Sequence, residues 1–197
     1  MKKLKKLIVA AGVMLSISTF TLTNQADAAT NRMVQYGDTY WKVAKGFGIP
    51  VNDLMNANNS KPLIAGQNMI LPYATISAAD KDLMARLVRA EAVGEPYAGK
   101  VAVAVVVLNR VKSNQFPNTV PGVIYEKSNG YYAFTPVKNG EINKPADAES
   151  KKAVNEAIAL GGQGNGSLFF YNPKTATSDW VATRQATVTI GNHSFAK

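Results

Sequence analysis

The stretch RLVRAEAVGEPYAGKVAVAVVVLNRV, residues 86–111, places a carboxylate, Glu91, where a soluble helix ordinarily carries an apolar side chain. At about 100° per residue, Glu91 points in nearly the direction of Met84, Leu87 and Val88, so a helix through this segment turns it inward with the hydrophobic stripe. Burial disfavours the ionised carboxylate and raises its pKa, which is what a general acid working near neutral pH requires. The competing reading is a structural Glu satisfied by a backbone group, Arg86 or Arg89. Gly94 and Pro96 end this helix and leave Glu91 in its last turn. The following GKVAVAVVVLNRV is apolar on all sides. Its length exceeds that of most strands and it runs into NRVKSNQF without a turn signal, so a second, buried helix is expected, forming an apolar wall beside Glu91.

Working outward, composition removes several chemistries. The chain has no Cys, hence no thiol nucleophile, Cys-ligated zinc or disulfide framework. Its one His, His193, lies near the C-terminus, which argues against a histidine-built metal site or a Ser-His-Asp triad and for an ordinary strand-edge role. Carboxylates are the remaining reagents, thirteen in all, and neither metal nor cofactor is expected. The stretch from Gly161 to Gly166 lacks the Lys-Ser/Thr of a phosphate loop and is read as a connection.

Residues 1–28 read as a signal peptide: Lys2, Lys3, Lys5 and Lys6 precede an apolar run, and Ala26-Asp27-Ala28 fits a small-x-small cleavage site. A secreted protein is expected. Cleavage there would lower the formal net charge from +9 to +6. A basic exported chain suits an anionic wall polymer or membrane surface, and nucleic acid is not an expected partner.

Two units follow. In residues 31–73, RMVQYG reads as a strand, Asp38 or Thr39 caps a helix carrying Trp41, Val43, Ala44 and Phe47, and Gly48 stops it. Val51 opens a second helix, and NMILP closes as a strand. The run QYGDTYWKVAKGFGIPVNDLMNANN...IAGQNMILP resembles the LysM module. The resemblance implies a βααβ peptidoglycan- or chitin-binding domain in which the Gly37-Asp38-Thr39 turn and the loop from Asn58 to Ile64 line a shallow groove for N-acetylglucosamine. Those turn residues also have a simpler role as helix caps. The short junction at residues 72–77 implies a tethered module that raises local substrate concentration.

Residues 77–197 form the larger unit. Ser77 and Asp80 begin the helix that carries Glu91, and residues 147–160 form a third, amphipathic helix ending at Gly161. NGYYAFTPVKNG, SLFFYNPKTATSDW and ATVTIGNHSF read as short strands, so the fold class is α+β with a small antiparallel sheet. Phe134, Tyr171 and Trp180 are candidate faces for pyranose rings and also candidate core residues, while Thr135 and Asn172 offer groups for hydroxyls and acetamides.

Five ordered segments, LVRAEAVGEPYAGKVAVAVVVLNRV, FPNTVPGVIY, AFTPV, FFYNP and GNHSFAK, resemble the successive motifs of the SleB/CwlJ family of cell wall hydrolases, the spore cortex-lytic type. The resemblance implies a helical lysozyme- or lytic-transglycosylase-like catalytic domain with Glu91 as the catalytic acid. Val93 replaces the Arg usual in the family's AEARGEP, and NGYYAFTPV departs from its shorter aromatic motif. The function expected is cleavage of the glycan strand of peptidoglycan, in spore cortex or vegetative wall. A lytic transglycosylase needs one carboxylate, whereas a muramidase or glucosaminidase needs two, for which Glu126 and Glu141 are candidates. Glu95 is close enough in sequence to repel Glu91 but cannot sit across a sugar ring from it. A non-catalytic wall-binding protein is the third reading.

Overall fold

The computed structural model describes residues 30–128, 130–162, 164–176 and 179–197. The expected signal peptide lies outside them. In the small unit, β1 (Thr30–Met33) pairs antiparallel with β2 (Asn68–Leu71), with Thr30 opposite Leu71 and Met33 opposite Asn68. Between them lie α1 (Tyr40–Phe47) and α2 (Val51–Ala57). Thr39 caps α1 by accepting from Lys42 N, and Gly48 ends it in the left-handed region. The first strand starts slightly earlier than the sequence pattern suggests, but Val34 N still donates to Gln67 O and extends the pairing.

The larger unit is built on three helices. Ser77 caps α3 (Ala78–Glu91), whose Leu83, Met84, Leu87 and Val88 are buried. After the Gly94–Pro96 turn, α4 (Tyr97–Lys112) runs through the core as expected of its all-round apolar surface, burying Val101, Val103, Val105, Val106 and Val107. The third helix, α7 (Ala148–Ala159), crosses both, with Asp147 accepting from Ser150 N as its cap.

Two short helices that the sequence reading missed separate these: α5 (Val120–Ile124) and α6 (Thr135–Asn139), each with Pro in its first turn. The segment NGYYAFTPVKNG is therefore only partly strand. Its β4 (Tyr131–Tyr132) pairs with β3 (Lys127–Ser128), and Thr135-Pro136 then starts α6, since proline's fixed φ suits a helix start. Likewise β5 (Phe169–Tyr171) gives way to turns and α8 (Asp179–Ala182). With β6 (Ala186–Ile190) and β7 (His193–Ala196), β5 forms an antiparallel sheet in the order β5-β7-β6. The fold is thus mixed, a helical core with small antiparallel sheets.

The two units are packed together, not merely tethered. Helix α1 lies on α7, and Ala159 of α7 belongs to the small unit's apolar core. Lys45 Nζ meets Glu156 Oε2 at 2.6 Å, Lys81 Nζ donates to Phe47 O at 3.0 Å, and Asn155 Nδ2 lies 3.5 Å from Gly46 O. Gly48 has two reasons to be glycine. Its φ is +61°, and an added Cβ would fall 2.5 Å from Asn155 Oδ1 across the contact.

Candidate active site

Glu91 is the last residue of α3, so it continues the buried face of Met84, Leu87 and Val88 while reaching the edge of the core. Burial pushes its carboxyl up to about 7, and the Arg110 cation restrains the rise. At neutral pH a substantial fraction carries a proton.

Arg110 was not singled out from the sequence, although it is the one charge on the α4 run between Lys100 and Lys112. Its side chain is buried and anchored by Nε donating to Leu168 O at 2.7 Å. The guanidinium carbon lies 4.8, 5.1 and 5.5 Å from the ring centroids of Phe116, Phe134 and Phe169. Three aromatic faces and a carbonyl replace the water this cation gives up. Burial lowers its pKa to about 10 against the opposing pull of Glu126 and Glu91. Arg110 is therefore a fixed positive charge whose field is shared by two carboxylates.

The other candidate carboxylates differ in their engagements. Glu95 is buried and accepts from Asn192 N at 3.0 Å and Asn192 Nδ2 at 3.1 Å, tying α4's entry turn to the β6–β7 turn. The expected repulsion of Glu91 by Glu95 is absent from the influences on Glu91, which are burial and Arg110. Glu141 bonds Lys144 at 2.5 Å and Arg89 at 3.3 Å, and these cations hold its carboxyl below the usual range. Glu126 stands at the foot of the β3–β4 hairpin, where its carbonyl accepts from Ala133 N at 2.9 Å.

The aromatic candidates divide. Phe134 is only 3% exposed; it stacks on Phe170 and supports Arg110, so its ring is a core element and not a sugar platform. Thr135, next to it, is exposed at the start of α6. Trp180 is 53% exposed, packed edge-on against Phe169 at 5.3 Å, with the Arg184 guanidinium 4.1 Å from its centroid. One contact chain thus runs from Arg110 through Phe169 to Trp180. Tyr171 and Asn172 are half-buried at the end of β5, where Asn172 Oδ1 accepts from Lys174 N and folds the following turn. Tyr131 and Tyr132, exposed on the hairpin beyond Glu126, add aromatic surface that was not assigned to the site. His193 packs against Phe170 and Phe195, and burial lowers its pKa, in keeping with a strand role.

In the small unit, a groove of about 200 Å³ is lined by Tyr40, Asn58, Asn59, Lys61, Leu63 and Ile64, among others. Ile64 is 55% exposed there, and Tyr40 OH donates to Lys61 O at 2.7 Å. The turn candidates are occupied differently. Gly37 takes a φ of +81°, Asp38 accepts from Arg32 and from Gln35 N, and Thr39 caps α1. They shape the turn and do not line this groove.

A family model described as cell wall hydrolase matches residues 94–196, beginning just beyond Glu91, and a LysM domain model matches residues 33–72. A spore cortex-lytic enzyme of Bacillus cereus is 40% identical over 176 residues, covering 87% of this chain and 65% of the relative. The chain thus spans just under two thirds of that relative's length. Two solved structures are similar at a TM-score of 0.57 each. The catalytic domain of the germination-specific lytic transglycosylase SleB from Bacillus anthracis is 46% identical, covering 62% of this chain and 98% of that one. The catalytic domain of the Bacillus cereus SleB protein is 48% identical, covering 62% and 92% respectively. With the family model matching just over half of the chain and the fold shared with SleB catalytic domains, the chain belongs to the cell wall hydrolase family and carries a LysM domain ahead of its hydrolase domain.

Proposed function

We propose that this protein cleaves the MurNAc-GlcNAc glycan strand of peptidoglycan as a lytic transglycosylase, with Glu91 as its single acid and base. The observation that carries the reading is Glu91 itself, a carboxyl raised to about 7 at the end of a core helix, with a buried cation as its electrostatic partner. Protonated Glu91 gives its proton to the glycosidic oxygen as the bond from that oxygen to C1 of the muramic residue breaks. The resulting carboxylate is the state that Arg110 favours. It then takes the proton of the same residue's 6-hydroxyl as O6 bonds to C1, which closes a 1,6-anhydro ring and restores the acid. No water is consumed.

Two further carboxylates are otherwise engaged, Glu95 by Asn192 and Glu141 by Arg89 and Lys144. A two-carboxylate hydrolysis would fall to Glu126, the other acid within the field of Arg110. Likeness to spore cortex-lytic relatives supports cortex peptidoglycan as the substrate, with residues 1–28 directing export, residues 31–73 holding the wall and residues 77–197 cutting it. Sugar contacts would come from Trp180, Tyr171, Asn172 and Thr135 in the cutting unit and from the Ile64 groove in the small unit. Glu91→Gln preserves shape but removes the transferable proton. It should retain wall binding while losing release of glycan fragments from purified sacculi by several orders of magnitude. Undiminished release would overturn the assignment.

A further inference from the structure

The packing of α1 on α7 encloses a groove between the two units, distinct from the Ile64 groove and from the surroundings of Glu91, with a volume of about 1,090 Å³. The small unit contributes Trp41, Lys42 and Lys45 to its walls, and the larger unit contributes Tyr97, Lys152 and Asn155. Neither unit could form it alone. Its size is at the upper end of ligand pockets, enough for a disaccharide with an attached peptide.

The charges in this groove are unevenly committed. Of the lining residues, Glu149 is paired with Lys100, while Lys45 and the Tyr97 hydroxyl both reach Glu156, at 2.6 Å and 2.8 Å. Lys45 also stands 5.7 Å from the Tyr97 ring centroid, which fixes both walls of the groove to each other. Lys152 is exposed at its mouth, and Lys42 is exposed with Nζ donating to Gly37 O at 2.8 Å. Trp41, 36% exposed, supplies an aromatic surface beside these amines. Both acids are therefore paired with a lysine, while the Trp41 ring and the Lys42 and Lys152 side chains are exposed. Such a surface suits a pyranose against an indole and a carboxylate against lysine.

We propose that the groove between the units is a second binding site for the peptidoglycan strand, recognising a disaccharide through Trp41 and the carboxylates of its peptide stem through Lys152 and Lys42. The proposal rests on peptidoglycan being the substrate. It assigns the small unit's fixed docking a purpose: the interface builds a site that reads peptide-bearing glycan, whereas the Ile64 groove offers no comparable cluster of lysines.

The test compares two soluble probes on the full chain by calorimetry: a purified disaccharide-tetrapeptide, and chitotetraose, which has the sugars but no peptide. Lys152→Glu should weaken the disaccharide-tetrapeptide about fivefold or more and leave chitotetraose within about twofold, because one exposed charge contact is reversed. Trp41→Ala should weaken the disaccharide-tetrapeptide as well, and raised ionic strength should reproduce the Lys152→Glu loss on wild-type protein. Unchanged affinity in Lys152→Glu, or an equal loss on both probes with an unaltered melting temperature, would overturn the proposal. Release of fragments from sacculi is scored separately: wild-type protein that binds the disaccharide-tetrapeptide through Lys152 but cuts nothing would refute the proposed activity and leave the groove standing.

Discussion

Replacing Glu91 with Gln should make the protein more stable at alkaline pH. The wild-type carboxyl is raised from an ordinary 4.5 to about 7 by burial, so folding favours its protonated form. Such a group is fully compatible with the fold below about pH 4.5, and its contribution is lost as pH rises through about 7. At 1.36 kcal/mol per pH unit, the displacement corresponds to about 3 kcal/mol by pH 8, an upper figure because the side chain keeps some contact with solvent. Gln cannot ionise and escapes this penalty. Urea unfolding of both proteins at intervals between about pH 4.5 and pH 8 should show near-equal stability at the acid end and an advantage to Glu91→Gln of about 2–3 kcal/mol at the alkaline end. A pH-independent difference, or a less stable Gln variant at pH 8, would refute the claim that burial holds Glu91 as an acid and makes its ionisation costly to the fold. The same experiment separates a catalytic residue from a structural one, since a Glu retained for stability would lose stability on substitution.

Removing the Arg110 charge, as in Arg110→Met, should move the alkaline limb of the pH-rate profile upward, since Arg110 is the influence that lowers Glu91's pKa; Arg110→Lys, which keeps a cation, should shift it less. Glu95→Ala should cost about 1–3 kcal/mol in chemical denaturation by removing the two hydrogen bonds that this buried carboxylate accepts from Asn192, whereas Glu126→Gln and Glu141→Gln should each change the cleavage rate by less than about tenfold if Glu91 acts alone. Deleting residues 29–75 should weaken attachment to intact walls and also lower the melting temperature of the remaining unit by roughly 5 °C, because it uncovers Ala159 and removes Lys45 from Glu156; an unchanged melting temperature would show the docked interface to be energetically idle.

The helical core was legible because its signals are local and agree with one another. Ser77 and Asp80 open α3, Pro96 precedes α4, and Asp147 caps α7, each bounding a segment with the expected apolar pattern. Glu91 was legible as a carboxylate on the wrong face of such a helix. What escaped depends on contacts between segments far apart in sequence. Arg110 reads as an ordinary last-turn cation until Phe116, Phe134 and Phe169 are brought around it by α4, α6 and β5. The sequence leaves Phe134 open between core residue and sugar platform for the same reason, since an aromatic among Tyr and Asn residues gives no local sign that it faces inward. Glu95 sits four positions from Glu91, and helical spacing suggested a mutual influence, but the chain turns at Gly94 and the side chain goes to Asn192. The docking of the two units had a single trace in sequence. Gly48 was read only as a helix stop, although the contact with Asn155 also excludes a side chain there. The short helices α5 and α6 carry a usable signal in Thr-Val-Pro and Thr-Pro, outweighed around α6 by the aromatic strand-like pattern.

In the proposed reaction one carboxyl supplies and recovers the proton while the muramic 6-hydroxyl, held at high effective molarity, replaces water. Mass analysis of the fragments released from purified peptidoglycan by the wild-type protein tests this directly. The fragments should end in 1,6-anhydromuramic acid, without new reducing termini, and Glu91→Gln should release none. Reducing termini from the wild-type protein, together with a Glu126→Gln variant reduced by several orders of magnitude, would contradict it and identify a two-carboxylate hydrolase.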